Sequence, residues 1–253
     1  MTITFLGTGT SQGVPIIGCD CEVCTSTDPN NNRLRSAIWI DSPEASIVID
    51  TGPDFRYQML RANVRKLDAI IFTHSHKDHI AGLDDVRAYN FFQQKPMDIY
   101  GNGETLNALR KEFAYVFDNK TYPGIPQLNL HELSGEPFNI NGLEIVPIRV
   151  LHYKLEVFGF RIGPFTYITD ANFIAPEERD KCRGSKALVL NALRHEQHIS
   201  HFTLNDAIDV AKDVAAEETY YTHISHQLGL HSEVDLTLPP HMHLAYDGLQ
   251  LHF

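Results

Sequence analysis

Apolar and β-branched residues alternate with threonine over residues 1–6, a period of two that predicts a strand, and GTGTSQG after it predicts a Gly-rich loop. That loop is no phosphate cradle, because neither a helical pattern nor GK[ST] follows. Strands are expected at 36–40 and 46–50, joined by a turn at 41–44, and the unbroken apolar run 69–72 predicts a buried strand. Helices follow at 84–93 and 104–117 around a short strand at 97–100. In the second helix Leu106, Leu109, Phe113 and Phe117 make a core-facing stripe. Residues 119–135, with YPGIP, read as a loop, either an ordinary surface loop or a lid over the site. Strands at 143–150, 157–162 and 165–169 come next, then a helix at 176–182 ending at Gly184 and a buried strand at 187–190. Thr203 and Asp206 open a helix as a capping-box variant, with Leu204, Ala207, Ile208, Ala211 and Val214 inside. A strand at 219–222 precedes a terminal hairpin turned by Asp247-Gly248. No linker or low-complexity segment interrupts this order, so α/β with one domain over 1–253 is expected.

Composition narrows the class. With 253 residues, 43% hydrophobic and 21% charged, the chain is an ordinary globular one. No apolar run nears the roughly eighteen residues of a membrane helix, and MTITFLGTGTSQG lacks a secretory signal. A cytoplasmic protein away from membranes is expected. Net charge is −11; two divalent ions, one structural zinc and three thiolates would leave roughly −8, which disfavours extended nucleic-acid docking. Fourteen histidines suit a metal enzyme, and four cysteines in a cytoplasmic chain point to metal ligands or free thiols before disulfides.

The chemistry gathers at residues 67–82, LDAIIFTHSHKDHIAG, where His74, His76, Asp78 and His79 follow a buried strand. Residues two apart in extended chain share a side, so His74 and His76 can grip one ion, while Asp78 and His79 face a neighbouring position. Imidazole with carboxylate suits zinc, manganese or iron. Other apolar runs also end in ligand types: IVPIRVL in His152, TYIT in Asp170 and TYYT in His223. Strand ends brought to one edge would give His74, His76 and His152 to a first ion and Asp78, His79 and His223 to a second, with Asp170 bridging. Two divalent ions (Zn²⁺ or Mn²⁺) about 3.5–4 Å apart activate water as hydroxide near neutral pH and stabilise a pentacoordinate phosphorus. Asp50, ending IVID, is placed to orient a ligand imidazole. Cys19, Cys21 and Cys24, spaced C-x-C-x-x-C, suit a structural zinc that needs a fourth ligand. His226 in THISHQ is a better candidate than Cys182, and would tie the N-terminal loop to the second-metal loop.

THSHKDH with His152, Asp170 and His223 resembles the metallo-β-lactamase superfamily. GTGTSQGVPIIGCDCEVC, THISHQ and AYDGLQL are similar to its PhnP branch, the phosphoribosyl cyclic phosphate phosphodiesterases. The resemblance spans the chain from first strand to last, although residues 90–135 carry little of the pattern. It implies an αββα sandwich of two mixed β-sheets flanked by helices, a dinuclear centre and a remote structural zinc. The implied reaction is hydrolysis of a small cyclic phosphodiester. His201 in HISHFTLNDA matches the family's histidine beside the scissile phosphate, where an imidazolium would protonate the departing alkoxide. Asp78 and His201 are thus the expected catalytic residues, Asp78 doubling as ligand. A homodimer is implied by resemblance alone. Among rivals, a tRNA 3′-processing endonuclease would carry a basic RNA-gripping arm that is absent here. A thioester hydrolase of the glyoxalase II kind would end in a helical domain. A non-catalytic metal-dependent binding module would have lost ligands.

Overall fold

In the computed structural model, residues 1–118 and 124–253 are described. The chain folds as β1 (Thr2–Gly7), β2 (Ala37–Asp41), β3 (Ser46–Ile49), β4 (Ala69–Ile71), β5 (Met97–Gly101), β6 (Leu128–Glu132), β7 (Phe138–Ile140), β8 (Leu143–His152), β9 (Leu155–Ile162), β10 (Phe165–Tyr167), β11 (Phe173–Ile174), β12 (Ala187–Asn191), β13 (Glu218–Thr222), β14 (Met242–Leu244) and β15 (Gln250–His252). One sheet runs β15-β1-β2-β3-β4-β5-β6. The other runs β11-β8-β9-β10-β12-β13-β14, with β7 paired to β8. Both sheets are mixed: β3-β4-β5-β6 and β10-β12-β13-β14 pair in parallel, the other pairs antiparallel.

The period-two pattern explains the layering. Ile47, Ile49, Ala69 and Ile71 of the first sheet meet Phe158, Phe160, Tyr167 and Val189 of the second in a core between the sheets. The alternate residues Val48, Ile70 and Ile99 face α1 (Phe55–Arg61), α3 (Arg87–Gln93) and α4 (Gly103–Glu112), meeting Phe55, Tyr89 and Leu109. Outside the second sheet, Leu188, Leu190 and Tyr221 pack on α7 (Leu204–Val214) through Ala207, Val210 and Val214. Central strands buried on both faces read as continuous apolar runs. The result is the αββα sandwich that the resemblance implies.

Three expectations need correction. The terminal hairpin does not form: β14 lies parallel to β13 in one sheet, while β15 lies antiparallel to β1 in the other. Asp247-Gly248 turns the crossing between them, with Gly248 at φ 93°. Asp247 holds that crossing by accepting from Thr8 Oγ1 at 2.9 Å and Leu34 N at 3.0 Å. Next, part of the segment read as loop and lid is β6, whose Leu128 and Leu130 pack on the helix-facing core; residues 119–123 of it lie outside the described residues. Finally, the helix expected at 104–117 breaks at Phe113 (φ −109°, ψ 41°), whose ring stays in the core while α5 (Ala114–Phe117) restarts.

Candidate metal centre

Four strands deliver the site. β4 ends just before Thr73 and His74, β8 ends in His152, β10 leads through Ile168 and Thr169 to Asp170, and β13 leads to His223. A short helix, α2 (Lys77–Ile80), presents Asp78 and His79. Asp50, Asp170 and His223 all sit in the left-handed region (φ 66°, 56° and 56°). Non-glycine residues pay a strain cost there that the surrounding structure must hold in place. Gly52 allows the loops to close: a Cβ there would stand 2.1 Å from the Asp78 carbonyl oxygen.

Ligand atoms of His74, His76 and His152 lie within 4.8 Å of one another, as do those of Asp78, His79, Asp170 and His223. Asp170 faces both sets. Its Oδ2 is 3.9 Å from His74 Nε2, while Oδ1 is 3.1 Å from His223 Nδ1 and 3.5 Å from His79 Nε2. His74 Nε2, His79 Nε2 and His223 Nδ1 are buried without a hydrogen-bond partner. Buried polar atoms are nearly always paired, so three such nitrogens gathered around Asp170, in two ligand sets, mark missing ligands. Their opposite nitrogens are engaged. His79 Nδ1 donates to Asp50 Oδ2 at 2.8 Å, and His74 Nδ1 lies 2.9 Å from Thr73 Oγ1, which donates to the same Asp50 oxygen at 2.9 Å. Asp50 thus orients His79 directly and His74 through Thr73. His152 Nδ1 donates to Ser200 O at 2.8 Å, and His223 Nε2 lies 3.3 Å from Thr10 Oγ1. These partners leave a free lone pair turned inward on each ring. The donor set fits two divalent ions.

The electrostatics agree. Burial would lower His79, but the carboxylates of Asp78, Asp170 and Asp50 override it and hold the ring well above the usual histidine range. Burial, then the charge of neighbouring His79, pushes His74 well below. Burial would raise Asp170, yet His223 and His79 hold it well below the carboxylate range. Three carboxylates converging in a dry pocket select for positive charge.

His201 stands over the site, its ring centroid 4.6 Å from His152 and 4.9 Å from His223. Its ligand atom also groups with those of His152 and Asp170. Burial pulls its pKa down to about 3, against the attraction of Asp170. Burial thus disfavours the imidazolium form of the unliganded site. Nδ1 of that ring is buried and unpartnered. His198 lies 5.0 Å away, ring to ring, while His195 is exposed.

The second cluster is a tetrad. Sγ of Cys19, Cys21 and Cys24 lie 3.4, 3.3 and 3.6 Å from His226 Nδ1. A tetrahedron with Zn–S near 2.3 Å and Zn–N near 2.0–2.1 Å has S···N edges of roughly 3.5 Å, so the tetrad fits zinc. A backbone N–H of Cys24, then His226, lowers Cys21 to about 6; burial raises Cys24 to about 11. Cys182 is fully buried beneath α7, burial raises its thiol to about 12, and it plays no part here. The sequence reading missed Thr10, Thr73 and the Ser200 carbonyl; only the Gly-rich loop around Thr10 offered a signal.

A family model described as a beta-lactamase superfamily domain matches residues 45–224. A solved structure described as a new diphosphatase from the PhnP family superposes with TM-score 0.93 at 41% identity, covering 100% of this chain and 97% of that one. An octanoyltransferase of Porphyromonas gingivalis is 39% identical over 253 residues, covering 99% of this chain and 51% of the relative. The chain thus spans about half the length of that relative. A ribonuclease Z of Methanococcus maripaludis is 24% identical over 291 residues, covering 89% and 88%.

Proposed function

This chain belongs to the β-lactamase superfamily, in its PhnP-like branch; from that premise we propose that it is a metal-dependent hydrolase that cleaves a small cyclic phosphodiester of the ribose 1,2-cyclic phosphate type. One observation carries the reading: three buried, unpartnered imidazole nitrogens and both oxygens of Asp170 converge beneath His201. His74, His76 and His152 would hold one divalent ion, Asp78, His79 and His223 another, with Asp170 reaching both. What two such ions (zinc or manganese) supply when bound is an activated water nucleophile and stabilisation of charge at pentacoordinate phosphorus. The remaining work belongs to the chain. Asp50, Thr73, Ser200 and Thr10 fix ring orientations. The neutral His201 ring can donate an N–H to a phosphoryl or leaving oxygen, and the negative charge of a bound phosphodiester would favour its protonation for transfer to the leaving alkoxide. The cysteine tetrad would hold a structural zinc that braces one wall.

A second reading is a linear diphosphate, favoured by the 41% identical structure described as a diphosphatase. Anhydride and cyclic diester ask the same of this site: in-line attack at phosphorus. Long RNA suits it poorly, given a net charge of −11 and no Lys/Arg-rich insertion. Acyl transfer through a thiol is also a poor fit. Three cysteines face His226 and the fourth is in the core, and the octanoyltransferase relative is about twice as long. The test loads the protein with Mn²⁺ or Zn²⁺ and measures hydrolysis of bis(p-nitrophenyl) phosphate. Ribose 1,2-cyclic phosphate, 2′,3′-cyclic nucleotides and ADP-ribose are then ranked by kcat/KM. Turnover with preference for the 1,2-cyclic ester is expected; no turnover with either metal would overturn the hydrolase reading of phosphodiesters.

A further inference from the structure

β12 runs between β10 and β13, the strands that lead to Asp170 and His223, and its apolar run ALVL ends in Asn191. β10 follows β12 in parallel register from Phe165 to Tyr167, and Ile168 N still donates to Val189 O at 2.9 Å. The chain then leaves the ladder. Asp170 takes the left-handed conformation, φ 56°, and turns its two oxygens toward His74 and His223. Backbone on such an excursion gives up its strand partners, and its strained conformation persists only where the surroundings hold it.

The Asn191 side chain recaptures it. Asn191 is fully buried, and its amide grips both polar groups of one residue: Ala171 N donates to Oδ1 at 2.7 Å, and Nδ2 donates to Ala171 O at 2.9 Å. A carboxamide carries the donor and acceptor of a peptide group, so Asn191 extends the ladder past the last paired residue of β10. The same Ala171 carbonyl accepts from Phe202 N at 2.8 Å, and Phe202 O accepts from Leu193 N at 3.1 Å. His201 therefore hangs from the residue that Asn191 holds. On the other side of β12, Ala192 N donates to Thr222 O at 2.9 Å, just before His223.

We propose that Asn191 is a positioning residue that sets two groups of the site at once, the shared carboxylate of Asp170 and the ring of His201, both through Ala171. The inference rests on the two-ion hydrolase reading above. The Asn191 amide is spent on backbone, so it acts on the ions and on the leaving group only through those two side chains. Freed from that grip, the Asp170 turn loses its support, and both ligand sets loosen together because each uses one Asp170 oxygen.

The test compares the parent with Asn191→Leu, which removes both bonds at similar volume, and with Asn191→Asp, which keeps the acceptor for Ala171 N–H. Calorimetric titration with Mn²⁺, after the active-site metal is stripped, reads the ions without turnover. Asn191→Leu should weaken both about 10–100-fold, the usual effect of removing a ligand's outer support. At saturating Mn²⁺, kcat is then measured on bis(p-nitrophenyl) phosphate and on ribose 1,2-cyclic phosphate. p-Nitrophenolate departs without a proton while a sugar alkoxide needs one, so a misplaced His201 should cost the cyclic ester about tenfold more than the aryl ester. His201→Ala should shift the same ratio, and adding Asn191→Leu to it should shift the ratio no further. Asn191→Asp should show both effects at smaller size, and it decides alone if Asn191→Leu does not fold. Damage to the fold by itself would slow both esters equally, so an unchanged ratio, or parent-like affinity for both ions, would overturn the assignment. If the parent hydrolyses neither ester, weakened ions would keep Asn191 as the support of Asp170 while the proposed reaction fell.

Discussion

Asp170 and His201 divide the labour of the site, and substitution separates them. Asp170 offers one oxygen to each ligand set from a strained backbone, so Asp170→Ala should reduce hydrolysis to background and lower bound metal. Metal analysis beside kcat checks this; full turnover by the variant would contradict the shared carboxylate. His201 stands over the site with a free ring nitrogen, so His201→Ala should keep both ions while kcat falls by about 10²–10⁴, the usual size of a general-acid contribution. Loss of metal in that variant would make His201 a ligand, a role its grouping with His152 and Asp170 leaves geometrically open. The clustered HSHKDH and the strand-ending His152, Asp170 and His223 were legible because ligand types broke apolar runs. The resting charge of His201 was not, because it depends on burial that only the folded walls create.

Among elements, the N-terminal loop and the segment after β13 are joined twice. Thr10 N donates to Ile224 O at 3.1 Å and Ile224 N to Thr8 O at 2.9 Å, and the cysteine tetrad closes on His226. Cys21→Ser should therefore remove one zinc equivalent and lower Tm. Unchanged metal content would rule the staple out. A second tie should show in acid. Asp68, just before β4, accepts from Ser46 N of β3 at 3.1 Å and pairs with Lys66 and Lys95 at 3.1 and 3.3 Å. Burial would raise its carboxyl, but that N–H and the two lysines hold it below the usual value. A depressed folded pKa gives stability that is full above about 4 and lost as pH falls through the folded value. The stability gap between parent and Asp68→Asn in urea should thus be constant above about pH 5 and shrink below pH 4; a gap independent of pH would remove the carboxylate's role. Most strands were legible because both faces are buried, as in 69–72 and 187–190. β6 and the split ends β14 and β15 were not. Short edge strands carry little pattern, and which sheet a strand joins depends on partners distant in sequence, such as Asp247 with Thr8 and Leu34.

Across the whole molecule, the metal centre joins the two sheets at one edge. His74, His76, Asp78 and His79 follow a strand of the first sheet, while His152, Asp170 and His223 follow strands of the second. Ions held there bridge the layers and bind only the folded chain, because unfolding separates ligands that lie up to 149 positions apart in the sequence. Each ion at about a thousand times its Kd then adds roughly 4 kcal/mol to the free energy of unfolding. For a chain of this size 1 kcal/mol moves Tm by about 2–4 °C, so each ion should add roughly 8–16 °C. The measurement is best made in Cys21→Ser, where the tetrad zinc no longer contributes. Thermal unfolding is compared after chelation and after reloading with Mn²⁺ or Zn²⁺. Asp170→Ala in the same background should show a much smaller gain, because losing the shared carboxylate weakens both ions. A Tm indifferent to chelation would mean that these side chains meet without gripping cations, and the hydrolytic reading would lose its physical basis.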